Sequence, residues 1–392
     1  MELQFKLPKD VEFILNTIEN HGYEAWCVGG CVRDMLLKKT PKDYDIASSA
    51  PCEEIEKIFK NTVPTGLKHG TVTVILKHTT YEVTRYRIDG EYSDNRRPEN
   101  VTFTNKFETD LSRRDFTVNA MGYHPSRGVF DPFCGRADLK AGILRTVGDP
   151  DRRFSEDALR ILRAFRFAST LGFEIEKSTR ASALKNAKKL NTISAERVFA
   201  ETEKALGGIK PSGLGELIEN GGFLNFGLKE IERAQLLDKM PKNSLLRLAA
   251  LIHLCKAQSD EVCKKLKCSK KTAANTAEYQ SIIENSKLSY PFVLKTVNII
   301  GFDGAEQAVA ANGILHGKNS FELLKKLDKA EEENYPRNIK MLCISGSELK
   351  AAGISGEAIG TTLEKLLDVV IENPKLNTRS ALFDIINETK LD

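Results

Sequence analysis

CVGGCVRDMLL (residues 27–37), followed three residues later by PKDYDIAS (residues 41–48), decides how the first third of the chain is read. It predicts a strand ending in Gly29-Gly30, a helix start bearing Arg33 and Asp34, and a second strand carrying Asp43 and Asp45. Two adjacent glycines let the backbone approach a triphosphate closely, and the N–H groups of the following helix start can face phosphate oxygens. Arg33 adds a charge-assisted contact. Asp43 and Asp45, at i and i+2 on a strand, project from one face and can hold one hard cation or a pair of them. Two such ions ~3.5–4 Å apart can activate an attacking hydroxyl and stabilise a leaving pyrophosphate. Each motif alone also has an ordinary reading, Gly-Gly as a tight turn and Asp-x-Asp as a surface loop. Their order along a strand, a helix and a second strand strengthens both.

Working outward, EAWCVGG, CVRDMLL, YDIASS, CEEIEKIFK, TVTVILK and TYEVTRYRI switch between β-like and helical patterns from about Glu24 to Gly148, a mixed α/β domain. After Phe154 the strand signals fade. SEDALRILRAFRFASTLGF, SAERVFAETEKAL and SLLRLAALIHLCKA carry apolar residues at helical spacing, so the rest reads as all-helical. The fold class is α+β. Glycines at 207–208, 213–215 and 221–222 mark joints between helices. The expected division is a catalytic head at 1–150, a helical neck at 151–215, a helical body at 216–300 and a helical tail at 301–392.

Bulk properties set bounds. A net charge of +4 over 392 residues permits a polyanionic partner without demanding one. Eight cysteines without a Cys-x-x-Cys pair or zinc-like histidine spacing fit reduced thiols in a cytoplasmic protein. MELQFKLPKDVEFILNTIEN reads as an amphipathic helix and not a signal peptide, and no stretch approaches the ~18 apolar residues a membrane span needs. The densest basic run, KKLKCSKKT from Lys264, reads as a solvated helix end, and His253 as a helix residue rather than a metal ligand.

Gly29-Gly30-Cys31-Val32-Arg33-Asp34 with Asp43-Tyr44-Asp45 resembles the first motif of the class II tRNA nucleotidyltransferases, of the polymerase-β-like superfamily. The resemblance continues in LSRRDFTVNAMGY (111–123), DPFCGRADL (131–139), EDALRILRAFRFA (156–168) and SAERVFAE (194–201), in family order. It covers residues 29 to 201. Cys134 stands where the third motif usually has a second glycine, and cysteine lacks glycine's freedom at positive φ.

The resemblance implies template-independent addition of CCA to the 3′ end of tRNA from CTP and ATP, with Mg2+ as the expected ion on Asp43 and Asp45. Without a template the protein must read the base. Cytosine and adenine both present an amine donor beside a ring-nitrogen acceptor, whereas uracil and guanine present a carbonyl beside an N–H. A carboxylate next to a guanidinium selects the first pair, and Asp157 with Arg160, at i and i+3 on one predicted helix, supplies it. The alternative is an ordinary surface Asp–Arg pair on an amphipathic helix, with Arg160, Arg163 and Arg166 on its polar half. In the family, residues matching Asp157 and Arg160 contact the incoming base, and those matching Gly30, Arg33, Arg114, Arg163 and Arg166 help bind the nucleotide; Arg114 is read at the start of a helix. Glu196 and Arg197 read as structural braces. Glu82, on the TYEVTRYRI strand, is a geometrically possible third metal ligand beside the reading of a solvent-facing strand residue.

DGEYSDNRRPENVTF (89–103), polar and rich in turn-formers, reads as a mobile loop whose presence disfavours a CC-only enzyme within the family. An A-adding-only enzyme remains an alternative. A poly(A) polymerase is disfavoured because the chain ends SALFDIINETKLD, neither long nor basic. A non-catalytic RNA-binding protein would be expected to lack Asp43, Asp45 or Asp157, and all three are present.

Overall fold

The computed structural model describes residues 4–89 and 101–389. The chain forms two compact units, Met1–Gly208 with Glu219–Phe223, and Ile209–Ile218 with Leu224–Asp392. As the sequence implies, a mixed α/β head is followed by helices.

The first unit opens with α1 (Lys9–Asn20), which follows Pro8 and buries Val11, Ile14, Leu15 and Ile18 along one stripe. Then come β1 (Ala25–Val28), α2 (Gly30–Leu36), β2 (Asp45–Ser48), α3 (Cys52–Ile58), β3 (Thr62–Gly66), β4 (Thr71–Leu76) and β5 (Thr79–Arg85). β6 (Arg87–Asp89) and β7 (Val101–Phe103) pair with each other, so the loop expected over 89–103 begins and ends in strand, and its residues 90–100 lie outside the described residues. α4 (Phe107–Ser112), β8 (Gly122–His124) and β9 (Gly128–Phe130) complete the head.

Seven strands form one sheet in the order β3-β4-β5-β2-β1-β8-β9. β2 runs parallel to β5 and the other neighbours are antiparallel. Strand alternation sends Cys27, Ile46 and Val83 into a core with α1, α2 and α3. Trp26, Val28 and Ala47 enter a second cluster with Tyr86, Phe107 and Leu111. Burial on both faces explains why β1 reads as an unbroken apolar run rather than an alternating one.

The helical part of this unit contains α5 (Gly135–Ala141), α6 (Pro150–Glu156), α7 (Leu159–Leu171), α8 (Lys177–Lys185) and α9 (Ala195–Leu206). The two-residue strands β10 (Ile143–Leu144) and β11 (Glu174–Ile175) pair in parallel, and β11 is a short β-element beyond Phe154 that helical periodicity does not announce.

After α10 (Leu214–Glu219), the second unit contains α11 (Ser244–Leu254), α12 (Ser259–Lys265), α13 (Lys270–Glu284), α14 (Tyr290–His316), α15 (Phe321–Glu332), α16 (Gly346–Ala351), α17 (Glu357–Glu372) and α18 (Arg379–Thr389). His253 lies within α11. The lysine-rich run ends α12 and begins α13, where the Ser269 hydroxyl accepts from Thr272 N, an N-cap typical of a helix boundary. Among the described residues no helix is long and apolar enough to cross a membrane, and all eight cysteines are free thiols.

Candidate active site

The turn after β1 is fixed by sterics. Gly29 sits at φ 77°, ψ −128°, and a Cβ there would come 2.9 Å from Arg114 Nη1. Only glycine satisfies both constraints. Across the sheet, Asp45 pairs with Val28, so β2 starts beside the Gly29-Gly30 turn; its parallel partnership with β5 sets Asp45 next to Glu82. Asp43 is exposed and precedes β2. Its orientation is therefore set by the connecting segment and not by strand alternation, contrary to the expected i, i+2 strand placement.

The Asp45 carboxyl is pushed above its usual range, first by desolvation and then by the Asp43 charge; Arg114 opposes this and Glu82 adds to it. Asp45 nevertheless keeps solvent access. Crowded oxygen anions that destabilise one another suit a hard divalent cation. Among the described residues no group of three or more His, Cys, Asp or Glu is arranged to hold a metal. Two carboxylates with the remaining positions left to phosphate oxygens or water is the coordination that Mg2+ favours.

Next to the turn, charges are joined in one chain. Arg33 donates to Asp34 Oδ1 from Nε (2.9 Å) and Nη2 (2.8 Å), and from Nη1 to Asn119 Oδ1 (2.7 Å). Asn119 Nδ2 donates to Asp115 Oδ1 at 3.1 Å. Asp115 Oδ2 accepts from Arg163 Nε (2.8 Å) and Nη2 (2.6 Å), and Arg166 Nε donates to Glu201 Oε2 at 2.8 Å. Burial alone would raise the Asp115 carboxyl, but Arg163, the Asn119 bond and Arg160 hold it down at about 2. Arg33 and Arg163 thus lie on one hydrogen-bonded line from α2 through residues 115–119 to α7, and Arg166 joins it through Glu201, whose Oε1 lies 3.8 Å from Arg163 Nη1.

Arg114 follows α4 instead of starting a helix, because α4 already ends at Ser112. Asp110, 1% exposed, anchors it: Oδ2 accepts from Arg114 Nη2 at 3.5 Å, while Oδ1 accepts from Arg113 and from Arg87 N. The buried Arg114 Nε and Arg197 Nη1 have no acceptor among the described residues. Such orphaned donors are uncommon in folded interiors and suit an anionic or carbonyl-bearing substrate.

The Asp157–Arg160 pair differs from expectation. Asp157 is extended (φ −142°, ψ 106°) between α6 and α7, and its Oδ1 accepts from Leu159 N at 3.0 Å. This local side-chain bond competes with helix continuation and breaks the run in two. Arg160 is 9% exposed and donates to Glu156 Oε2 (2.6 Å), Arg113 O (2.9 Å) and Arg153 O (3.4 Å). Among the described residues no ion pair joins Asp157 to Arg160. Asp157 Oδ2 instead accepts from Arg197 Nη2 at 3.0 Å, which places Arg197 as a brace on Asp157.

Cys134 adopts φ 59°, ψ 28°, the left-handed conformation that the glycine-for-cysteine difference brings into question. Beside it, Gly135 N donates to Asp131 Oδ1 (2.7 Å), and a Cβ on Gly135 would meet Thr117 O at 2.3 Å. The 131–139 segment therefore packs directly under residues 115–119, a link reinforced by Thr117 Oγ1 donating to Asp138 Oδ2.

Asn119, Phe167, Glu201 and Asp110 join the site without having been singled out from sequence. Asn119 and Asp110 lie in or beside the 111–123 motif and Glu201 closes SAERVFAE, so motif membership was the available signal. Phe167 looks like any apolar helix residue.

Comparison with known proteins places this geometry. The family model described as "Poly A polymerase head domain" matches residues 25–145, and one described as "Probable RNA and SrmB- binding site of polymerase A" matches residues 172–235. The chain is 36% identical to a CCA-adding enzyme of Leuconostoc mesenteroides over 95% of this chain and 94% of that one. It is 49% identical to the Geobacillus stearothermophilus CCA-adding enzyme over 50% of this chain and 48% of that one. Its structure resembles that of the Bacillus stearothermophilus CCA-adding enzyme in complex with CTP, with a TM-score of 0.79, 29% identity and coverage of 98% and 99%. A Thermotoga maritima CCA-adding enzyme complexed with tRNA_CCA shares the fold at a TM-score of 0.68, 19% identity and coverage of 98% and 96%.

Proposed function

This chain belongs to the CCA-adding enzyme family, and from that premise we infer how its residues divide the work of the reaction. The enzyme adds CCA to the 3′ end of tRNA from CTP and ATP and releases pyrophosphate. The observation that carries our assignment is the setting of Asp45 beside the Gly29-Gly30 turn, with Asp43 two residues before it, Arg114 against that turn and the Arg33–Asn119–Asp115–Arg163 chain next to it.

In this reading Asp43 and Asp45 hold a divalent metal, which we assign as Mg2+; when bound, it supplies Lewis-acid activation of the tRNA 3′-hydroxyl and charge neutralisation at the triphosphate. Gly29 and Gly30 admit the phosphates close to the backbone, and Arg33, Arg114, Arg163 and Arg166 neutralise and orient the nucleotide. Asp157 accepts from the exocyclic amine of cytosine or adenine, and the bond it takes from Arg197 Nη2 keeps it aimed. Arg160 gives three of its five N–H groups to Glu156, Arg153 O and Arg113 O, and the N–H groups left at Nε and Nη2 are those with which it would donate beside Asp157. The helical tail at 301–392 is assigned to tRNA contact and the protein to the cytoplasm.

The test is incubation with tRNA lacking CCA, CC-ended tRNA and an unrelated RNA, each with CTP, ATP or both, read by product length. Full CCA on the first substrate and A alone on the second are expected. A product only on CC-ended tRNA would mark an A-adding enzyme, and long A-tracts on the unrelated RNA a poly(A) polymerase. Asp43→Ala or Asp45→Ala should abolish incorporation and leave tRNA binding in place; incorporation by either variant would overturn the metal assignment.

A further inference from the structure

Phe167 lies on α7 with its ring 5% exposed. Three guanidinium carbons lie over that ring: Arg166 at 3.4 Å from its centroid, and Arg33 and Arg163 each at 5.3 Å. The ring is itself held from the side by Phe116, whose ring meets it at 5.7 Å and 79°. Phe116 is fully buried, so the post has a rigid footing. The three arginines are those assigned above to the nucleotide, and they come from two separate stretches of chain, α2 and α7.

Three like charges drawn to one place repel each other. Asp34, Asp115 and Glu201 offset part of that repulsion from the outside of the group. The ring works from the inside, because the negative face of an aromatic π-system attracts cations and, being uncharged, does not compete for the phosphate as another carboxylate would. An aliphatic side chain of the same size would fill the space and supply none of this attraction.

We propose that Phe167 is a positioning residue: an aromatic post that gathers Arg33, Arg163 and Arg166 into one anion-receiving group for the nucleotide triphosphate. The inference rests on the reading of those arginines as nucleotide ligands. It assigns Phe167 a share of nucleotide affinity and none of base choice, since the post acts on arginines that face phosphate and leaves Asp157 untouched.

The experiment uses the full-length enzyme with Phe167 replaced by mono-, di- and trifluorinated phenylalanine, which drains the ring face of negative charge with little change in shape. KM and Kd for CTP and ATP are measured with kcat, KM for tRNA and Tm. The expected result is a stepwise rise in KM for both nucleotides, about tenfold across the series given typical cation–π strengths, with KM for tRNA and the CTP-to-ATP ratio unchanged and Tm lowered by no more than a few degrees. Phe167→Leu should raise nucleotide KM similarly, and Phe167→Tyr should restore it. Nucleotide KM and Kd that stay flat across the fluorinated series overturn the proposal, whatever Phe167→Leu does to Tm. Arg166→Gln run in the same titration separates the two levels of inference. If it weakens nucleotide binding while the series is flat, Phe167 alone is misassigned; if it too leaves binding unchanged, the reading of the arginines falls and the proposal with it.

Discussion

Asp115→Asn keeps the side-chain volume and removes one charge from the centre of the arginine network. In the native protein Asp115 Oδ2 takes two bonds from Arg163, and Oδ1 takes bonds from Phe116 N (2.9 Å) and Asn119 Nδ2 (3.1 Å). Burial works against the carboxylate, yet Arg163 and the surrounding donors hold its pKa at about 2, against ~3.9 for an unperturbed aspartate. A difference of just under two units, at roughly 1.4 kcal/mol each, corresponds to about 2–3 kcal/mol of stability. Because the folded-state pKa is depressed, that stability is complete above about pH 4 and is lost as the pH falls from there toward 2. The single tryptophan, Trp26, lies in the core of the first unit, so urea unfolding followed by its fluorescence reports on the unit that contains Asp115. The variant should be less stable by about 2–3 kcal/mol at pH 7, and the gap from the parent should shrink by roughly half by pH 3. Equal midpoints at pH 7, or a gap that stays constant down to pH 3, would refute the reasoning.

Three further outcomes follow from the geometry. Gly29→Ala forces a Cβ to 2.9 Å from Arg114 Nη1 at φ 77°, so a loss of about 1–3 kcal/mol with a raised nucleotide KM is expected; an unchanged KM would separate Arg114 from the nucleotide. Cys134→Gly relieves about 1–2 kcal/mol of left-handed strain and adds back about 0.5–1 kcal/mol of unfolded-state freedom. A Tm equal to or slightly above the parent's is expected, and a clear drop would show that the thiol makes a contact of value. Arg197→Ala removes the 3.0 Å clamp on Asp157 and should lower kcat/KM for CTP and ATP about tenfold or admit UTP and GTP; an unaltered nucleotide profile would show that Asp157 needs no brace.

The sequence was most informative where a short segment carries its own chemistry. Asp43, Asp45 and the Gly29-Gly30 turn could be read because strand, turn and helix follow one another within about twenty residues, and each residue type has few reasons to be there. Even so, β2 begins at Asp45, and nothing in the pattern distinguished Asp43 on the strand from Asp43 before it. The helix break at Asp157 was hidden for a related reason. Apolar spacing continues through Ala158, and what stops the helix is a side-chain bond to Leu159 N, which periodicity cannot register. The burial of Arg160 was equally hidden, because one of its acceptors is the carbonyl of Arg113 and a backbone oxygen has no residue signature. Asn119 and Phe167 acquire their roles only through partners brought together by the fold.

The arginine network also bears on the order in which the protein can be made. Its bonds join residues 86 positions apart (Arg33 to Asn119), 48 apart (Arg163 to Asp115), 35 apart (Arg166 to Glu201) and 40 apart (Arg197 to Asp157). Contacts of such long sequence separation form late, after the loops between them have closed. During synthesis the seven-stranded sheet can assemble once β9 has emerged, but Asp115 then has no cation beside it until α7 follows, and Arg166 has no Glu201 until α9 does. A nascent chain halted between residues 130 and 200 would therefore hold a formed sheet with an unbalanced, incompletely buried cluster of charges. The natural checkpoint for folding in this unit is the emergence of α9, well after Asp43 and Asp45 have left the ribosome.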